Sequence, residues 1–330
     1  MKNGKVSESV LKRSVLKQVH NKEAGMLQKP GPGADFGALV VPEGETALVS
    51  AVSTETLYTS DMAMRCVLRA LNHVAVSGAK PILVSISLTV PTIWNEAQLR
   101  ELMRDVGAVC ASHEIPVSGG HTQAARGVKE PVLTVTAMGT APKKNLLTAG
   151  GIRPGMELLL TKYIAMEGTS LLAKEKRAEL STRFAQPFLD RAAKYGEYME
   201  IMSEAAVAMG AGAAAMHCVS EGGIFGALWE MAEASGIGME IDLKKIPIRQ
   251  ETVEITEFFD INPYKLISGG ALLIACADGA QMVRALEEAG IPAAIIGIAT
   301  DSNDRVLYKQ EERRFLETVQ TDEIYSVFGA

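Results

Sequence analysis

The sequence is poor in aromatic residues and has no strong charge of either sign. Aromatics make up 5% of its 330 residues, too few for the stacking platforms that grip single-stranded nucleic acid. Lysine plus arginine is 33 against 39 aspartates and glutamates, a formal net charge of −6. Such a chain lacks the basic footprint of a DNA or RNA binder, so no nucleic-acid partner is expected. The four cysteines, Cys66, Cys110, Cys218 and Cys276, include no Cys-x-x-Cys pair. Neither a structural zinc site nor a disulfide framework is written here, and reduced thiols in a cytoplasmic protein are the expectation. No run nears the roughly 18 consecutive apolar residues of a membrane helix. The Ala/Gly-rich segment 205–216 is too short and too weakly apolar, so no membrane partner is expected. The opening residues lack the apolar core and small-residue cleavage site of a secretory signal.

What is present is ordinary for a folded protein: 47% hydrophobic residues, 22% charged residues and 30 glycines. At roughly 150 residues per domain, the length suggests about two domains. Apolar spacing predicts an amphipathic helix over 6–20, strands at 38–41 and 47–53, and a helix over 61–77 that Ser60 or Asp61 caps. A strand follows at 82–90. Asn95 and Gln98 form the signature of a capping box opening a helix to about His113. A strand at 132–138 closes this half.

The Gly/Pro break at 149–155 marks the domain boundary. Beyond it the pattern predicts a strand at 157–161, a helix near 168–178 and a long helix near 187–210. A further helix runs from Gly222-Gly223 to about Ser235. Strands near 238–242, 270–276 and 293–299 alternate with helices near 250–259 and 279–289. The charged segment 310–325 reads as helical. The expected architecture is α/β with an N-terminal domain over 1–152, a C-terminal domain over 153–310 and a helical tail over 311–330.

Four segments carry candidate chemistry. Gly31, Gly33 and Gly37 surround Asp35 in a loop where backbone N–H groups meet a phosphate and the acid meets its metal, or which is a plain turn. It matches neither a dinucleotide fingerprint nor a Walker loop. Gly119-Gly120-His121-Thr122 permits close backbone approach to a ligand at a strand end; His121 is a metal or phosphate ligand or simply satisfies its loop. His217-Cys218-Val219-Ser220-Glu221-Gly222-Gly223 runs from a strand into a helix start, where free N–H groups attract anions; Glu221 there also suits the helix itself. Asn72-His73 lies late in the helix 61–77.

In this order the segments resemble the aminoimidazole ribonucleotide (AIR) synthetase-like superfamily. Leu71–Pro81 is similar to its Asn-Asp-(Ile/Leu)-Ala-x-x-Gly-Ala-x-Pro helix end, and Gly119–Thr122 to its Gly-Gly-(Asp/His)-Thr strand end. Leu158–Lys162 after Gly151–Gly155, and Glu167-Gly168-Thr169, resemble the start of its second domain. Met216–Gly223 resembles His-Asp-x-Thr-Glu-Gly-Gly, and Asn262-Pro263 through Ser268-Gly269-Gly270 its late Asp-Pro segment. The resemblance spans about residues 30–310 and is nearest to the HypE-like hydrogenase maturation branch.

It implies an N-terminal sheet that pairs in a homodimer, a C-terminal α/β domain, and ATP with Mg2+ between them. The implied nucleotide-binding residues are Gly31, Gly33, Asp35, Asn72, Gly119, Gly120, His121, Thr122, Glu167, Gly168, Thr169, His217, Glu221, Gly222 and Gly223. Asp35 and Glu55 are the implied magnesium ligands. Three of the family's acids are replaced, by His73, His121 and Cys218, and Asn262 stands for another Asp. Magnesium prefers hard oxygen ligands, so these exchanges weaken such a site.

Three readings follow. One is an ATP-dependent synthetase or dehydratase that phosphorylates an amide or carboxylate oxygen. The segment 326–330 lacks the terminal cysteine that HypE activates, so a protein substrate in trans is expected. The second is a nucleotide- or metabolite-binding protein without the chemistry. The third gathers Asp35, Glu55, His73, His121, His217 and Cys218 around a softer transition metal.

Overall fold

The structure, a computed structural model, describes residues 8–10, 12, 26–28, 31–40 and 44–329. Most of the helix expected over 6–20 lies outside these residues; Glu8–Val10 is helical.

The described strands form two sheets. The first contains β1 (Met26–Gln28), β2 (Gly37–Val40), β3 (Thr46–Glu55), β4 (Lys80–Pro91), β5 (Val117–Ala125) and β6 (Val132–Pro142), in the order β1-β2-β3-β6-β4-β5. All neighbours are antiparallel except β4 and β5. Along β3 and β6, buried residues alternate with open ones. That period of two puts one face against a core and leaves the other outward. The helices Met62–Ala75 and Glu96–Ser112 belong to this half. The second starts with the expected box: Asn95 Oδ1 accepts from Gln98 N–H and Gln98 Oε1 from Asn95 N–H, both at 3.1 Å. The first does not use its expected cap. Asp61 makes no cap bond and pairs with Lys174 at 2.6 Å, while Ser60 bonds Glu175.

The second sheet contains β7 (Glu157–Thr161), β8 (Ala213–Val219), β9 (Gly238–Asp242), β10 (Ala271–Cys276), β11 (Ala293–Thr300), β12 (Arg305–Lys309) and β13 (Glu312–Phe315), ordered β13-β12-β9-β11-β7-β10-β8. Only β12 and β9 pair in parallel. Leu158–Leu160 and the whole of β10 are buried. Such continuous apolar runs signal strands covered on both faces.

The helix Met62–Ala75 joins the halves. Its residues Cys66, Val67, Leu71 and Val74 belong to a core cluster that also holds Met199, Ile201, Met216, Cys218 and Leu272. One continuous apolar core therefore crosses from the first sheet into the second domain.

Two expectations need correction. The segment 310–325 is not a helix: it carries β13, and only Ile324–Phe328 beyond it is helical. The helix expected over 187–210 breaks into Gln186–Ala193, a 3-10 turn over Lys194–Tyr198 and Met202–Gly210. The break has a physical cause. Lys162 Nζ takes the carbonyls of Tyr198 and Glu200, and the Asn72 amide takes Met199 O and Ile201 N–H. Those backbone groups are spent outside the helix ladder.

Candidate functional site

Arg65, Arg69 and Asn72 follow one another by four and three residues on the helix Met62–Ala75, which places them on one stripe. The stripe faces Glu55 at the end of β3 and Glu167 in the first turn of the helix Met166–Glu175. Arg65 Nη1 lies 2.6 Å from Glu55 Oε2. Its Nη2 donates to Leu57 O at 2.8 Å and to Thr59 Oγ1 at 3.1 Å. Arg69 spans both acids, Nη1 to Glu55 Oε2 at 3.3 Å and Nη2 to Glu167 Oε1 at 2.7 Å. Glu167 Oε2 accepts from Gly269 N–H at 2.9 Å. Both carboxylates are thus engaged by guanidinium groups from the same helix. Burial would lower the Arg69 pKa, but the charges of Glu167 and then Glu55 hold it above its usual value.

Asn72 closes the next position. Its Nδ2 donates to Met199 O at 2.8 Å and its Oδ1 accepts from Ile201 N–H at 3.1 Å. Arg69 and Asn72 then line a small pocket with Cys218, Ser220, Gly269 and Gly270. Both domains contribute to its wall.

His217 sits on β8 between two carboxylates. Its Nδ1 is 2.7 Å from Asp35 Oδ2 and its Nε2 is 3.1 Å from Glu230 Oε2. Asp35 Oδ2 also accepts from Cys218 N–H at 3.2 Å. Burial alone would lower the imidazole pKa, but the charge and hydrogen bond of Asp35, with those of Glu230, raise it to about 10. His217 is an imidazolium clamp, not a neutral metal ligand. Gly33 permits the loop to approach closely: a Cβ there would lie 2.2 Å from Glu230 O.

The glycine segment after Ser220 is bonded internally. Gly222 N–H donates to Asp322 Oδ2 at 2.6 Å, and Gly223 N–H to Ser220 O at 3.0 Å. Asp322 Oδ1 also accepts from Ile267 N–H and Ile324 N–H. Burial raises the Asp322 pKa to about 7, against the lowering by those N–H groups. Glu221 adds negative charge beside it.

The remaining expected residues scatter. Gly168 packs beneath Leu266, and Thr169 Oγ1 bonds Ala165 O and Thr252 Oγ1. Gly31 lies in the N-terminal loop, bonded through its carbonyl to Ala34 N–H. Gly119, Gly120, His121 and Thr122 lie inside the exposed strand β5, with His121 opposite Ser87. β5 is three places from β3 in the sheet, about 14 Å at the usual strand spacing, and none of the four lines the pocket. His73 is half-buried beside Asn72 and also stays outside the pocket lining. The transition-metal reading is therefore corrected: among the described residues, no three His, Cys, Asp or Glu side chains are placed to hold a metal.

The expected magnesium ligands do not fit that ion either. It demands nearly octahedral oxygen coordination. Asp35 is spent on an imidazolium and a backbone N–H, and Glu55 on two guanidinium groups and two backbone N–H groups.

Arg65, Arg69, Glu230 and Asp322 were missing from the sequence-based set. The two arginines had a signal: they stand four apart, with Asn72 three residues on, in a mostly apolar helix. Asp322 had none, since its partners Gly222 and Ile267 lie 100 and 55 residues upstream.

Models of the AIR synthase related protein match this chain in both halves, the N-terminal domain over residues 34–141 and the C-terminal domain over 153–309. The chain is 24% identical over 315 residues to a putative hydrogenase expression/formation protein of Methanocaldococcus jannaschii, covering 92% of this chain and 90% of that one. It is 28% identical over 281 residues to the carbamoyl dehydratase HypE of Rhizobium leguminosarum bv. viciae, covering 82% and 78%. The hydrogenase maturation protein HypE solved in complex with ATP has the same fold, with a TM-score of 0.68 at 17% identity over 98% of this chain and 97% of that one.

Proposed function

The chain belongs to the AIR synthase related family, and from that premise we propose that it binds ATP between its two domains and activates an amide or carboxylate oxygen by phosphorylation. The carbamoyl dehydratase to which it is similar supports this reaction class. One observation carries the reading to this molecule: Arg69 and Asn72 of the first domain meet Ser220, Gly269 and Gly270 of the second in one pocket.

In such a reaction the substrate oxygen attacks the terminal phosphorus and ADP leaves. Catalysis of that step is mostly positioning and charge neutralisation. Arg69 forms part of the pocket wall, with its charge shared between Glu55 and Glu167. Asn72 is a positioning residue, because its amide fixes the segment 199–201 against the first domain. Asp35 and Glu55, engaged within the protein, do not fit magnesium here.

All four cysteines are buried, so a thiol-borne acceptor comes from a second molecule, a protein substrate in trans. The outward face of the first sheet, with Val52 and Ile82 exposed, supports a homodimer through that sheet. No described helix is long and apolar enough to cross a membrane, which is in keeping with a cytoplasmic location.

A specific observation favours a second reading, a binding protein without phosphoryl transfer. Asp35, Glu55 and Glu167, and the N–H groups of Gly222 and Gly223, are all bonded within the protein. Calorimetric titration with a non-hydrolysable ATP analogue, followed by an ADP-release assay with carbamoyl and carboxylate substrates, separates the two. Binding with release that Asn72→Ala abolishes supports the first reading. Binding without release supports the second, and no binding at millimolar ligand overturns both.

A further inference from the structure

The buried cluster Glu55, Arg65, Arg69 and Glu167 carries two cations of its own, and Arg69 hydrogen-bonds both acids. We propose that the Arg69 guanidinium stands where Glu55 and Glu167 would otherwise grip a divalent ion, so the pair is a latent metal site kept closed by a tethered charge. The inference goes beyond the nucleotide reading and does not require it.

The geometry supports this in three ways. Glu55 and Glu167 come from different domains and are 5% and 1% exposed. Two carboxylates left together at such depth repel and need a shared counter-charge. Arg69 supplies it with two separate nitrogens, one for each acid, and a guanidinium fork suits that task better than an ammonium.

The two arginines are not equivalent. Arg65 is 1% exposed and is held in addition by Leu57 O and Thr59 Oγ1. Arg69 reaches in from the pocket side, with its side chain 13% exposed. Removing Arg65 would strip Glu55 of its own structural partner. Removing Arg69 opens the space between the acids toward the pocket.

The charges balance as well. Two carboxylates and two guanidinium groups sum to zero, so an added divalent ion would place two uncompensated charges in a buried site. That is strongly unfavourable. Without Arg69 the cluster is anionic and offers carboxylate oxygens, the donors hard dications prefer.

The test uses Mn2+, followed by electron paramagnetic resonance, on the full chain without nucleotide. The wild type is expected to leave the free-ion spectrum unchanged. Arg69→Ala is expected to bind one Mn2+ per chain at least tenfold more tightly than the wild type, and Arg69→Ala with Glu167→Gln to lose that binding. If Arg69→Ala unfolds, it is expected to refold on adding Mn2+. Stoichiometric Mn2+ binding by the wild type that Glu167→Gln abolishes would overturn the proposal. So would a folded Arg69→Ala that ignores Mn2+, or an unfolded one that the ion does not rescue. No nucleotide is present, so failure of the ATP reading leaves these outcomes unchanged.

Discussion

His217 and Asp35 form a buried ion pair, 2.7 Å between Nδ1 and Oδ2, that fastens the N-terminal glycine loop to a core strand of the second domain. The imidazolium also meets Glu230, so one cation ties the N-terminal loop to both β8 and the helix Gly223–Ser235 that follows it.

This pair sets a pH dependence. The folded value of about 10 lies above the ~6.5 of an unperturbed histidine. Its contribution is therefore complete below pH ~6.5 and is lost as pH rises through the folded value. Urea unfolding between pH 6 and 10 should show stability falling toward the alkaline end. Asp35→Asn should lower stability at pH 7 by about 3 kcal/mol, the low end for breaking a buried pair, because Glu230 remains. A pH profile unchanged in Asp35→Asn would contradict this account.

Asn72→Ala removes the two bonds that hold Met199 and Ile201 to the first domain. It leaves a buried carbonyl and a buried N–H without their partner, at about 1–3 kcal/mol for each unsatisfied group. Chemical denaturation should show a lower midpoint, and hydrogen exchange should speed up at residues 199–201 first. Loss spread evenly over the chain would argue against a local clamp.

Gly223 has φ +63, and a Cβ there would lie 2.6 Å from Tyr264 O and 2.8 Å from Leu266 O. The left-handed backbone alone costs a residue with a side chain roughly 1–2 kcal/mol. Gly223→Ala is expected to lower the melting temperature and to shift the segment 264–266. A crystal structure of the variant with that segment in place would refute the steric argument.

Asp322 holds the C-terminal segment to the Gly222 loop. Its folded value of about 7 exceeds the ~3.9 of a free aspartate. The protonated form is favoured in the fold, so this contribution is present below pH ~3.9 and is lost as pH rises through about 7. Limited proteolysis should cut the segment after Leu316 faster at pH 8 than at pH 6. Asp322→Asn, which cannot ionise, should remove that difference.

The fold was legible in the sequence wherever periodicity was local. The helix Met62–Ala75, the Asn95 capping box and the apolar runs of β7 and β10 all follow from residue spacing. The broken helix over 187–210 was not, because Asn72 and Lys162 divert its backbone groups from distant positions. The strand β13 was hidden for another reason: its residues Glu312–Phe315 are all exposed, so no burial pattern marks it. Asp35, Asn72, Glu167 and His217 were singled out from their segments. What those segments do here depends on Arg69, Glu230 and Asp322, whose roles exist only once the chain is folded. The glycines of β5 show the converse, a recognisable segment that the sheet order carries away from the pocket.

The bond between Gly222 and Asp322 also has a consequence in time. The two residues are 100 positions apart, and a ribosome adds about 5–20 residues each second. For roughly 5–20 s after Gly222 is made, at that rate, the carboxylate that will cap its N–H does not yet exist. During that interval the nascent loop offers its amide to water or to any anion of the surrounding solution.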